Sequence, residues 1–188
     1  MPTVTHLQNG REGARDVAVW DPLVRLIHWS LALTILLNGA FTDDEGMVHQ
    51  WVGYVALGLV GIRVVWALIG PRHARFAAFP PNALRYLKAV RAGDRTVHLS
   101  PNPLGALMVY NLWLTVIAMG VTGYMMTTLR FFGIDWVKEA HELAFNWLML
   151  SVALHVAGVA FDTWRSGVNL LRAMLLGRKR IPKGTSVE

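Results

Sequence analysis

Apolar residues gather into four runs of about twenty, at 22–41, 48–69, 104–127 and 140–161, with polar segments between them. At 1.5 Å rise per residue, each run is long enough to cross a hydrocarbon layer of roughly 30 Å. The pattern predicts an all-α fold: an integral membrane four-helix bundle running up and down. Pro22, directly after the capping residue type Asp21, suits a first helical turn, and "IGPR" ends the second run with a Gly–Pro stop. The connections at 42–47 and 128–139 are short. The one at 70–103 is long and contains "FPPNALRYLKAVRAG", which is expected to lie at the surface as a short amphipathic piece. The chain thus divides into an amino-terminal segment (1–19), a transmembrane domain (20–177) and a basic tail (178–188).

Composition sharpens this picture. Hydrophobic residues make up 54% of the chain and charged residues only 16%, against about 25% in globular proteins. There is no cysteine, which excludes disulfides, zinc–thiolate sites, iron–sulfur clusters and covalently attached haem. The opening "MPTVTHLQNGREGARDVAV" lacks the apolar core of a cleavable signal, so the amino terminus is expected to start and stay in the cytoplasm.

Positive residues resist translocation, and they are unevenly shared. Fourteen Lys and Arg fall on the side of the amino-terminal segment, the long loop and the tail, against Arg130 and Lys138 on the other. Both termini are therefore expected in the cytoplasm, in a bacterial inner membrane. The net charge of +6 is accounted for by topology and lipid-headgroup contact, and gives no case for nucleic acid.

Four histidines fall within or at the ends of the runs: His28 in "LIHWS", His49 in "MVHQW", and His141 and His155 in "AHELAFNWLMLSVALHVAG". Ionisable side chains in hydrocarbon are costly and mark function. The helix rise puts His49 and His141 at the outer level, with His28 and His155 about 21 Å deeper. Fourteen steps of about 100° fall about 40° short of four full turns, so His141 and His155 share a face. One helix thus offers one ligand to each of two stacked haems, with His49 completing the outer pair and His28 the inner. Two imidazoles saturate the axial positions of haem iron and favour electron transfer over oxygen binding. A single such histidine reads equally well as a core imidazole bonded to a carbonyl; a polar relay or a zinc site are the other readings. His6, His73 and His98 lie in polar segments and read as surface residues.

Arg63 lies fourteen residues after His49, on nearly the same face but at the inner level, where a guanidinium is suited to haem propionates. Snorkelling to the cytoplasmic headgroups is its other reading. Gly53 and Gly158, a turn beyond ligand candidates, would let a macrocycle lie close to the backbone; small-residue helix packing explains them as well. Trp20, Trp51, Trp136 and Trp164 sit near the run ends and read as an interfacial belt.

With these residues in place, the chain resembles the bacterial cytochrome b561 family, which is close to the cytochrome b subunits of membrane-bound nickel–iron hydrogenases. The likeness rests on "DPLVRLIHW", "HQWVGYVALGLVGIRVVW", "NPLGALMV" and the histidine pair spaced by fourteen, and covers roughly 18–177. It implies two haems b, with His28, His49, His141 and His155 as iron ligands and Arg63 as a neighbour of the inner haem. It further implies electron exchange between quinone and a partner outside the membrane: a c-type cytochrome, a hydrogenase or, in some small members, superoxide.

Charge bears on that partner. The outer connections carry six carboxylates, Asp43, Asp44, Glu45, Asp135, Glu139 and Glu142, against Arg130 and Lys138, a local charge of −4. Such a face repels an anion and attracts a cationic protein patch, so a periplasmic redox protein is expected ahead of superoxide. Arg130 and Lys138 are the candidates for outer-haem propionates. A haem-free anchor for a periplasmic enzyme has no need of four matched histidines. A proton or ion path needs more polar groups than Glu142, Asn146 and Ser151 between the two levels. Membrane lipid surrounds the bundle, and a homodimer is compatible with it.

Overall fold

A computed structural model describes residues 14–44, 46–71, 74–78, 83–93, 96–99, 101–182 and 187. Four long helices carry the four apolar runs: α1 (Pro22–Ala40), α2 (Met47–Ile69), α4 (Pro103–Met126) and α5 (Asp135–Ser166). A short amphipathic helix α3 (Ala83–Arg91) occupies the long loop, and α6 (Leu170–Leu176) follows α5. Large apolar side chains such as Leu33, Leu36, Val55, Ile62, Leu150 and Leu154 are at least half exposed. A water-facing bundle does not present apolar surface on this scale, whereas lipid covers it at no cost. The protein is an integral membrane protein.

Helix boundaries follow local chemistry. Asp21 accepts the Val24 amide at 3.0 Å and Pro22 opens α1; Asn102 accepts the Gly105 amide at 2.7 Å and Pro103 opens α4. The other Asp21 oxygen takes the Trp66 indole N–H at 3.3 Å, tying the start of α1 to the end of α2. Helix α5 runs five residues beyond the apolar run at each end. Asp135, Lys138 and Glu139 before it, and Asp162 and Arg165 after it, are polar and so escape a hydropathy window, but they are compatible with helix.

The segments that flank the bundle pair with each other. Strand β1 (Ala14–Ala18) pairs antiparallel with β2 (Arg178–Pro182), Asp16 opposite Arg180. Chain entry and exit therefore lie at one end of the bundle, called here the terminal end. Gly177, at φ +77°, makes the turn into β2 while its carbonyl accepts the amides of Val19 and Trp20. A side chain there would stand 2.9 Å from the Trp20 carbonyl as well as strain the backbone. Arg25 donates to the carbonyls of Met174 and Leu175 at the end of α6, locking α1 to the same cap.

A polar cluster sits under this cap. Asp162 on α5 accepts from Tyr86 at 3.0 Å, Asn102 at 3.2 Å and Arg165 at 2.8 Å. Lys179 is buried and donates to the His98 and Leu99 carbonyls. Burial lowers Lys179 from 10.5 to about 8, so between those values the unfolded chain binds more protons and stability rises with pH. Tyr86 is raised from 10.0 to about 12, first by burial and then by Asp162, so stability falls as pH climbs through that window. The thermal midpoint in detergent, followed by circular dichroism, is expected to peak at about pH 10. Lys179→Met is expected to flatten the rise below the peak and leave the fall above it.

Mid-bundle, Ala56, Val60, Val116 and Leu148, all but Val60 also lining the cavity described below, form the packed apolar core. Beside it Asn111 of α4 donates to Ser151 of α5 at 2.8 Å and accepts from the Trp147 indole at 2.9 Å. Interhelical hydrogen bonds of this kind are worth roughly 0.6 to 1.7 kcal/mol each in a membrane. Asn111→Leu is expected to lower the resistance of the α4–α5 pair to denaturing detergent by that order; unchanged resistance would show the pair to be held by packing alone.

Candidate functional site

Helix geometry fixes the site. His49 stands in the first turn of α2 and His141 in the second turn of α5, both at the end opposite the termini. Their rings come together, centroids 6.4 Å apart and planes inclined by 62°. His28, in the second turn of α1, meets His155, fourteen residues further along α5 than His141, at 6.3 Å and 54°. Iron–nitrogen bonds of about 2 Å to two facing imidazoles would put the ring centroids about 6 Å apart, so each pair has room for one metal atom. Among the described residues no group of three or more His, Cys, Asp or Glu is placed to hold a metal ion. Two protein ligands per site suit a metal whose remaining positions are filled by a macrocycle.

A cavity of about 1050 Å³ opens at the His49–His141 level, at the top of the range that holds small-molecule ligands. Gly53 and Lys138 line it, as do Gly39, Gly120 and Gly123. Arg130 is not among its lining residues; its guanidinium lies over the Phe131 ring, 5.4 Å from the centroid. Gly158 is exposed with open space where a side chain would stand. Gly123 is more closely involved: a Cβ there would lie 3.4 Å from Cε1 of His141. A larger side chain at 123 would displace the imidazole.

Two threonines brace the outer pair. Thr42 Oγ1 lies 3.2 Å from Nδ1 of His49, and Thr122 Oγ1 lies 2.9 Å from Nδ1 of His141. Thr122 also reaches the Ala118 carbonyl at 2.8 Å, and Thr42 the Asn38 carbonyl at 3.2 Å. With the single hydroxyl proton given to the carbonyl, which can only accept, each histidine donates from Nδ1–H. That tautomer leaves both Nε2 lone pairs for a metal. Asn38 adds a bond from its amide to the His49 carbonyl at 3.0 Å.

The inner level is built differently. Nδ1 of His28 is buried and has no hydrogen-bond partner. Arg63 is only 7% exposed; Nη2 donates to the Ala74 carbonyl at 3.2 Å and the guanidinium lies 5.1 Å from the centroid of the Trp113 ring. Its Nη1 has no partner. Trp113 packs in turn against Phe76 and Tyr110. An orphaned, buried guanidinium nitrogen is costly, and fits an anionic group that belongs there.

These features define a membrane-embedded helix bundle with paired imidazoles at two levels. The family model described as prokaryotic cytochrome b561 matches residues 19–177, and the chain belongs to that family. It is a b-type cytochrome of transmembrane electron transfer, binding haem b within the membrane. No curated protein and no solved structure matches the chain.

Proposed function

We propose that the protein carries electrons through two bis-histidine haems b, between quinone in the bilayer and a cationic redox protein such as a c-type cytochrome outside it. The observation that carries this reading is the pair of imidazole pairs, 6.4 and 6.3 Å between centroids, anchored fourteen residues apart on one helix. Haem supplies reversible one-electron chemistry when bound. The chain's part is to hold the ligands, keep water out and supply counter-charge. His49 and His141 serve the outer site, with Lys138 at the propionates and Gly53 under the ring. His28 and His155 serve the inner site, where the unpartnered Nη1 of Arg63 supports a propionate partner.

The two levels lie about 21 Å apart by helix rise, so they divide a roughly 30 Å insulator. Both termini are assigned to the cytoplasm from the positive-residue count, which puts the cavity mouth outside. Asp44, Asp135 and Glu142 line that mouth with one cation, Lys138. Exposed Asp43 and Glu139 extend the negative surface. This balance favours a cationic protein over superoxide.

The test is turnover in two sets of proteoliposomes, one carrying quinol with a basic c-type cytochrome outside, the other carrying oxidised quinone with superoxide supplied outside. The expected result is fast reduction of the cytochrome that slows as salt rises. Faster quinone reduction by superoxide than quinol-driven cytochrome reduction would assign the outer face to superoxide instead.

A further inference from the structure

The outer histidines and His28 differ in what Nδ1 meets. At the outer level Nδ1 of each ligand candidate lies beside a threonine hydroxyl, at 3.2 and 2.9 Å, and His141 also has a backbone hydrogen bond with Met119. Each hydroxyl passes its own proton on to a backbone carbonyl, so it accepts more strongly than an isolated hydroxyl would. At the inner level Nδ1 of His28 has no partner. A hydrogen bond accepted from Nδ1–H raises the donor power of the imidazole and stabilises the oxidised metal more than the reduced one.

The surrounding charges act in the same direction. Asp44, Asp135 and Glu142 stand around the outer cavity with Lys138, a local excess of negative charge that favours the oxidised state. Buried Arg63 belongs to the inner level and favours the reduced state.

The geometry points to Thr42 and Thr122 as positioning residues that fix the tautomer of His49 and His141 and hold the outer haem at a lower midpoint potential than the inner one. The inference rests on the two-haem reading above and adds to it a direction: the outer level is the better electron donor. Thr42 reaches its histidine from the turn between α1 and α2, and Thr122 from α4. The outer site is therefore braced from two elements, neither of which carries the ligand it braces.

Midpoint potentials of the two haems, measured by their visible bands in the full-length detergent-solubilised protein, test this. Thr42→Val and Thr122→Val keep the side-chain shape and remove the acceptor. Each is expected to weaken the preference for oxidised iron about tenfold, raising the lower midpoint by about 59 mV for a one-electron couple while the upper stays in place. Thr122→Ser, which keeps the hydroxyl, is expected to restore the original value. Should Thr122→Val lose the outer haem, retention of that haem by Thr122→Ser supports the same role. Movement of the upper midpoint alone, equal movement of both, no movement, or the same loss with Ser as with Val would overturn the inference. A wild-type protein with fewer than two haems would instead overturn the reading beneath it.

Discussion

Replacing His141 with Ala is expected to remove the outer haem, taking the bound haem from two per chain to one and cutting transmembrane electron transfer more than about 100-fold. The argument is local. His141 lies over Gly123 on one side, has the Thr122 hydroxyl at 2.9 Å on another, and faces His49 across 6.4 Å. Alanine leaves a single imidazole at that level, with Met119, Met126 and Met149 as the thioethers that line the same cavity. His155 lies four turns away, so the inner site should keep its haem and its low-spin spectrum. Haem content by pyridine haemochrome and the rate in proteoliposomes check both halves. Free imidazole, added to occupy the vacated space, should return part of the absorbance. Two haems retained in His141→Ala would show that another residue ligates the outer iron.

Arg63→Met is expected to act in the opposite place and in a different way. Arg63 is buried with Nη1 unpartnered, a state that costs free energy in the chain by itself and is offset when an anionic group arrives. Met fills a similar volume without the charge. Haem retention at the inner site should fall by about 10- to 100-fold, read by transfer to a haem-scavenging protein, with a drop in the upper midpoint potential. The haem-stripped chain loses the Ala74 bond, the Trp113 contact and the attraction to Asp21, and is relieved of a buried charge with an unpartnered nitrogen, so its thermal stability should change by no more than about 1 to 2 kcal/mol. Arg63→Lys, which keeps charge but cannot bind two oxygens at once, should fall between. Equal haem retention in all three would assign Arg63 to the headgroups or to packing against Trp113.

The four spans were legible because hydrophobic runs of membrane length have few competing explanations. The two depth levels were legible because helix rise and the 100° step convert sequence spacing into height and angle. What escaped depends on register between helices. Thr122 and His141 are nineteen residues apart on different helices, and nothing in either run says that they meet. Gly123 escaped for the same reason. Thr42 was closer to discovery, since a polar residue in a tight turn seven positions before a ligand candidate has few places to go. The β1–β2 pair was not foreseen because "ARDVA" and "RKRIP" are short and charged, and the inward positions of β2 are Lys179 and Ile181, which breaks the apolar alternation that marks a strand. Of the sequence-derived neighbours, Gly53 and Lys138 line the cavity, whereas Arg130 stacks on Phe131 and Gly158 faces open space.

The central claim is that four histidines make two bis-imidazole haem sites, and it is tested most directly by haem stoichiometry and spin state in the purified protein. Two haems b per chain are expected, both low-spin by electron paramagnetic resonance in the oxidised state. His49→Ala and His28→Ala should each remove one haem or convert it to high spin, leaving the other unchanged. One haem per chain in the wild type, a high-spin haem in it, or two low-spin haems surviving the double replacement would contradict the account.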